Sequence, residues 1–220
     1  MNDSAQPRVA LVAFNSLGDG LIYLMMAENL RINGYAVTYF GNIGYQLRQW
    51  LPQFEIRPYP TLDEMDAALA DFDLVVMSPQ QFIRYRMDSA TTDAMRRKWI
   101  LICQKPPAEW RFDLREEKSS TLHPEIYAAL ERLLDCGGPI RRRKYTTESV
   151  VDITIEYMRD VMGLKTLVRD VPLAPPGNLK FRKYPQRIII SPDSAWPEKK
   201  DWSPQAFLKL CHKLRSQGAD

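Results

Sequence analysis

The 220-residue chain has little cysteine and little histidine. Its three cysteines, Cys103, Cys136 and Cys211, are odd in number and far apart, so they fit neither a disulfide framework nor a metal site. We therefore expect a reducing, cytoplasmic setting. The two histidines, His123 and His212, lie in no recognisable catalytic motif, and we expect both to be structural or exposed.

Long hydrophobic runs and an excess of one charge are also lacking. No apolar run approaches the roughly 18–20 residues that span a bilayer, and the N-terminus carries no basic-then-apolar signal. The net charge of +3 is too small to argue for nucleic acid, so we expect no such partner. Basic residues do cluster at 96–98 and 141–144. Each cluster is either a solvated face or a site for anionic lipid or phosphorylated groups.

What the chain does have is an alternation of short apolar runs and helical stretches. Strands are predicted at 8–14, 36–40, 54–58 (near an edge), 73–77 and 99–103. Helices are predicted at 21–30, 45–51, 61–70, 80–98, 124–134 and 147–162, with a loop at 106–120 that leaves Trp110 and Phe112 at least half uncovered. This order predicts an α/β fold with a Rossmann-like, doubly wound parallel sheet.

Proline and glycine concentrate between residues 172 and 185. This composition predicts a linker, 172–186, between an N-terminal domain, 1–171, and a second domain, 187–220. The second domain begins with a predicted buried strand, 187–190, and a helix with Ser203 as its N-cap and Pro204 as its first residue. One strand and one helix cannot bury a parallel sheet. Either they add to the edge of the first domain or the second domain is truncated, and we expect truncation.

The loop after the first strand, 15–20, contains Asp19 as its only ionisable group. Loops at the carboxyl ends of parallel strands are where open α/β sheets bind ligands. Asp19 is either a first-turn residue that stabilises the helix by about 0.5–2 kcal/mol or a general base aimed at a hydroxyl group. The loop lacks the glycine spacing of a dinucleotide site and the Walker spacing, which disfavours a nucleotide-dependent oxidoreductase.

A second loop, 191–204, combines hydroxyl groups, two lysines and a following helix N-terminus. These features suit a phosphate group. Lys199 or Lys200 would neutralise its charge, and Ser191 or Ser194 would hydrogen-bond its oxygens. The alternative is a solvated lysine pair on a surface loop, with Trp202 packed as a core plug.

Two motifs, N-S-L-G-D-G-L at 15–21 and I-I-I-S-P-D-S-A-W-P-E-K-K-D-W-S-P-Q-A-F at 188–207, resemble the family 9 glycosyltransferases. That family includes the ADP-heptose:lipopolysaccharide heptosyltransferases. The resemblance implies a GT-B fold, with the acceptor on the N-terminal domain and the sugar nucleotide mainly on the C-terminal one. It implies an inverting bacterial enzyme that needs no metal or cofactor and transfers a sugar, in the first place heptose, to a lipopolysaccharide-core or other surface glycan.

The same resemblance assigns roles to individual residues. Asp19 would be the base that deprotonates the acceptor hydroxyl, and Lys200 would contact the donor diphosphate, with Ser194 and Lys199 beside it. The acceptor-side loop would consist of Asn15, Ser16, Gly18 and Gly20.

The implied partners are a nucleotide sugar such as ADP-heptose and a lipid-linked acceptor at the cytoplasmic face of the inner membrane. Gly20 and Tyr23 depart from the family pattern, which implies an acceptor other than the usual heptose or Kdo. The family segments that hold the donor's ribose and base would lie beyond Asp220, so we expect the chain alone to be inactive. The competing hypothesis is a non-catalytic Rossmann-type binding or partner module that lacks the donor half.

Overall fold

The computed structural model of the chain describes residues 6–13, 16–78, 99–103, 111–140, 147–177, 188, 190 and 202–218. The chain divides into two compact units, 1–175 and 176–220, and this division falls within the predicted 172–186 linker. The predicted helix 80–98, both basic clusters, Trp110 and the loop from 191 to 201 lie outside the described residues.

A parallel sheet forms the centre of the first unit. Its strands are β1 (Arg8–Val12), β2 (Ala36–Phe40), β3 (Glu55–Arg57), β4 (Leu74–Met77), β5 (Trp99–Cys103) and a two-residue β6 (Gly138–Pro139). Their order is β3-β2-β1-β4-β5-β6, and every neighbouring pair is parallel. The apolar run of β1 is fully buried because β1 pairs with a neighbour on each side, Val9 lying opposite Val37 and Leu74. The predicted α/β, Rossmann-like class is confirmed for this unit, and β3 lies at the predicted edge.

Helices flank the sheet. They are α1 (Leu17–Ile32), α2 (Asn42–Leu47) with a following 3-10 turn (Arg48–Trp50), α3 (Leu62–Leu69), α4 (Arg115–Thr121), α5 (Pro124–Leu130) and α6 (Val150–Asp160). Within the described part of the chain, no helix combines the length and the apolar character needed to cross a membrane.

Several sequence predictions about local structure are wrong. Helix α2 begins at Asn42, three residues before the predicted start at 45, and α4 occupies part of the predicted 106–120 loop. Phe112 is only 8% exposed. The Leu114 N–H donates to the Leu134 carbonyl at 2.8 Å, which draws this stretch onto the core. No local sequence pattern predicts that contact, because Leu114 and Leu134 are 20 residues apart in the chain.

Helix α1 is fixed at its C-terminal end by a later segment, the 165–168 strap. The side-chain amide of Asn29, which is fully buried, donates to the Val168 carbonyl at 2.9 Å and accepts from the Val168 N–H at 2.8 Å. One turn later, Asn33 donates to the Thr166 carbonyl at 2.7 Å and accepts from the N–H groups of Lys165 and Thr166. The two amides thus bond to the strap's backbone as a neighbouring strand would.

The second unit contains α7 (Pro204–Ser216). As predicted, Ser203 is its N-cap and its hydroxyl accepts from the Ala206 N–H at 3.3 Å. Trp202 is not a core plug, because it is 59% exposed and touches the ring of Phe207 at 5.7 Å between centroids. Nor does the predicted buried strand appear at its described positions. Ile188 is 48% exposed and pairs with no described strand, so the burial that would stabilise a strand there is missing.

Candidate functional site

The order of the strands places the candidate site at the carboxyl ends of β1 and β4. The chain leaves β1 toward β2 and β3, whereas β4 and β5 lie on the other side of β1. Ligands of open parallel sheets bind in the crevice at such a reversal. Here the Ala13 N–H donates to the Phe40 carbonyl at 2.8 Å, and the Ser78 N–H donates to the Val12 carbonyl at 3.1 Å. These bonds hold the end of β1 rigidly between its neighbours.

Asp19 lies at this edge, in the first turn of α1. Ser16 is the N-cap, and its hydroxyl oxygen accepts from the Asp19 N–H at 3.3 Å. The same hydroxyl donates to Oδ2 of Asp19 at 2.6 Å. Among the residues that the structure describes, this is the one hydrogen bond that the exposed Asp19 carboxylate receives. Oδ1 therefore has no hydrogen-bond partner within the described part of the chain.

A buried tyrosine anchors the turn that carries Asp19. The hydroxyl of Tyr39, on β2, donates to the Gly20 carbonyl at 3.1 Å, and burial raises the pKa of this phenol so that it stays protonated. A Cβ at Gly41 would lie 2.8 Å from the Tyr39 ring, and one at Gly44 would overlap it. A Cβ at Gly20 would lie 3.1 Å from that of Ile43. These glycines therefore let α1, α2 and β2 approach closely enough to fix the Asp19 backbone.

The Ser16–Asp19 contact has two counterparts elsewhere in the unit. Ser149 donates to Asp152 at 2.6 Å on α6, and Thr61 donates to Glu64 at 2.7 Å on α3. In both, the carboxylate also accepts the N-cap backbone N–H, and the hydroxyl bond is the main cause of a lowered pKa. Thr61 and Glu64 thus form a capping box at the start of the helix predicted at 61–70. The local geometry of Asp19 is that of a helix cap. Its position at the carboxyl ends of β1 and β4 distinguishes it from Asp152 and Glu64.

The structure brings four of the predicted site residues into one turn: Ser16, Gly18, Asp19 and Gly20. Gly18 faces open space, since a Cβ there would meet nothing within 4 Å, whereas Gly20 is buried. Four others lie outside the described residues: Asn15, Ser194, Lys199 and Lys200.

Two further residues matter at or near this edge. Ser78, which is buried, directly follows β4 and lies beside the end of β1. The sequence analysis missed it, although a serine before a proline at the end of an apolar run indicates the end of a strand. Tyr23, which was linked to acceptor choice, is buried, and its hydroxyl donates to the Ile102 carbonyl at 2.9 Å. Tyr23 therefore ties α1 to β5.

Comparison with known proteins finds no counterpart: no protein-family model, curated protein or solved structure matches the chain. In the described part of the chain, no group of three or more His, Cys, Asp or Glu side chains is arranged to hold a metal ion. Fold and site thus define the class of the first unit as α/β with a parallel, Rossmann-like sheet.

Proposed function

We propose that the chain is the acceptor-side part of an inverting glycosyltransferase of GT-B architecture that uses no metal. In this proposal the donor is a nucleotide sugar such as ADP-heptose, and the acceptor is a lipid-linked surface glycan reached at the cytoplasmic face of the inner membrane. Two features support it: the resemblance of both motifs to the family 9 enzymes, and the position of Asp19 in the first turn of α1, after the carboxyl end of β1.

The observation that carries the proposal is the exposed Asp19 carboxylate at the carboxyl end of β1. Ser16 holds Oδ2, so Oδ1 would take the proton of an acceptor hydroxyl as that oxygen attacks the anomeric carbon. Attack from the face opposite the leaving nucleoside diphosphate inverts the configuration of the sugar. Lys200, with Lys199 and Ser194, would stabilise the charge that develops on the diphosphate.

The test compares two aspartates that each accept a hydrogen bond from the hydroxyl of a serine N-cap. Asp152 differs in that it also accepts the Ser149 N–H and pairs with Arg169. In the full-length protein, we expect Asp19→Asn to lower the rate of sugar transfer by about 10²–10⁴-fold while leaving donor binding unchanged. Asp152→Asn, at the equivalent cap of α6, provides the matched control and should keep the transfer rate. If both variants transfer sugar as the parent does, Asp19 is only a cap and the proposed mechanism fails.

A second candidate function is the non-catalytic binding or partner module. The observation in its favour is that the Ser16–Asp19 contact recurs at Ser149–Asp152, where it belongs to the capping box of α6. Under this hypothesis the full-length protein binds no nucleotide sugar. Calorimetric titration with ADP-heptose and other sugar nucleotides separates the two functions, because saturable binding supports the transferase and its absence supports the module.

A further inference from the structure

The opposite edge of the sheet contains a polar cavity of about 390 Å³. It opens at the amino ends of β1, β2 and β3, and its lining includes Gln6, Arg8, Arg31, Thr38, Gln53 and Glu55. Its volume lies within the range of ligand pockets, roughly 300–1,000 Å³. Arg8 begins β1 and Asp19 follows its end, so the length of a five-residue strand, about 16 Å, separates this cavity from the candidate site.

Arg8 supplies a positive charge, which acts on the nearby Glu55 carboxylate and helps to lower its pKa. Its backbone N–H donates to Asp73 at 2.8 Å, which fixes the residue at the start of the strand. Its guanidinium lies 5.4 Å from the ring centroid of Phe72 and, among the described residues, forms no ion pair within 4.0 Å. One side of the guanidinium is therefore covered by an aromatic ring, and its N–H groups have no anionic partner.

The other charged groups of the lining are already paired. Arg31 uses Nε and Nη2 for a bidentate contact with Glu28, each at 2.8 Å, which leaves Nη1 without a partner in the described structure. Glu55 accepts from Arg57 and from the Thr38 hydroxyl at 3.0 Å. The Arg57 bond first, then the Thr38 bond and the charges of Arg57 and Arg8, hold the pKa of Glu55 below the usual range, so it stays ionised. The charged side chains of the lining are Arg8, Arg31 and Glu55, so the lining itself carries one net positive charge. The Asp73 carboxylate lies next to it, since it accepts the Arg8 backbone N–H.

We infer that this amino-edge cavity binds a small organic phosphate, with its phosphate group at Arg8 and Arg31 and its hydroxyl groups against the side-chain amides. Guanidinium forks suit phosphate oxygens, since they offer several N–H donors in one plane. Gln6 and Gln53 each use their amide nitrogen on a backbone carbonyl, which leaves the amide oxygens free to accept from hydroxyl groups. The inference does not depend on the proposed transferase activity.

The experiment titrates the full chain with ribose 5-phosphate and with inorganic phosphate at constant ionic strength, followed by ³¹P NMR and calorimetry. We expect saturable binding of both phosphates and none of ribose. Arg8→Gln should weaken binding by about tenfold or more, because it removes a charge-assisted contact. Arg8→Lys should recover part of the loss, because it restores the charge without the fork.

The matched control is Arg48→Gln. Arg48 also lies beside an aromatic ring, that of Tyr45 at 4.2 Å, but it is not part of the cavity. Binding by this variant should stay within about twofold of the parent. Circular dichroism confirms that each variant is folded. The inference is overturned if the parent shows no saturable phosphate binding, or if Arg8→Gln binds phosphate as tightly as Arg48→Gln does.

Discussion

Replacing Asn29 by alanine should destabilise the first unit by about 2–3 kcal/mol. The amide forms three hydrogen bonds, two to the backbone of Val168 and one to the Met25 carbonyl, and the residue is fully buried. Each such bond contributes about 1 kcal/mol net, and buried groups left without partners cost about 1–3 kcal/mol each. Water reaches Val168, which is 36% exposed, and this access keeps the total near the sum of the three bonds.

The assay is urea denaturation followed by far-UV circular dichroism. The matched control is Asn42→Ala, which removes a single exposed contact to the Tyr59 N–H at 3.2 Å and should cost less than about 1 kcal/mol. Asn29→Asp is a second test. It keeps the acceptor for the Val168 N–H but sets a carboxylate against two carbonyl oxygens, so it should destabilise at least as much as alanine. A loss below about 0.5 kcal/mol for Asn29→Ala would refute this account of the strap.

Two further predictions concern close packing and thiol access. Gly44→Ala should destabilise the first unit by about 1–3 kcal/mol because its Cβ would overlap the Tyr39 ring. Gly18→Ala, whose Cβ would face open space, should be neutral or slightly stabilising. Equal urea midpoints for the two variants would contradict this prediction. Burial raises the pKa of the Cys136 thiol to about 12, so in the native protein a thiol reagent should modify the exposed Cys211 and spare Cys136 even at pH 10. Peptide mapping by mass spectrometry is the measurement, and rapid native modification of Cys136 would show that its site opens.

The sequence predicts most of the sheet because its longer strands each carry a local signal. The runs at 9–12 and 74–77 are apolar throughout, and Thr38 is the one polar residue in the run at 36–40, as is typical of strands buried on both faces. The caps at Thr61 and Ser203 are equally local, because each places a hydroxyl within three residues of the N–H that it receives. The two-residue β6 has no such signal, since Gly138 and Pro139 carry no apolar pattern and are defined only by pairing with β5.

The features that the sequence did not predict depend on contacts between distant residues. Asn29 and Asn33 look like ordinary polar residues of a helix, and nothing near them reveals the 165–168 strap. At the candidate site, the sequence places Asp19 after β1 but does not place Ser78 at the end of that strand, because the Ser78–Val12 contact follows from the pairing of β1 with β4. The resemblance to a glycosyltransferase family supplies the role of Asp19, which stays a prediction.

The strap also has a consequence for the order in which the unit is completed during synthesis. Asn29 and Val168 are 139 residues apart, so the amide site on α1 stays empty until nearly the whole first unit has left the ribosome. Until then the two asparagines remain hydrated, and the C-terminal end of α1 lacks its final cover. Contacts of such long sequence separation form late, because a large loop must close before they contribute. A chain released before residue 168 would therefore contain most of the sheet but would leave the C-terminal end of its first helix uncovered.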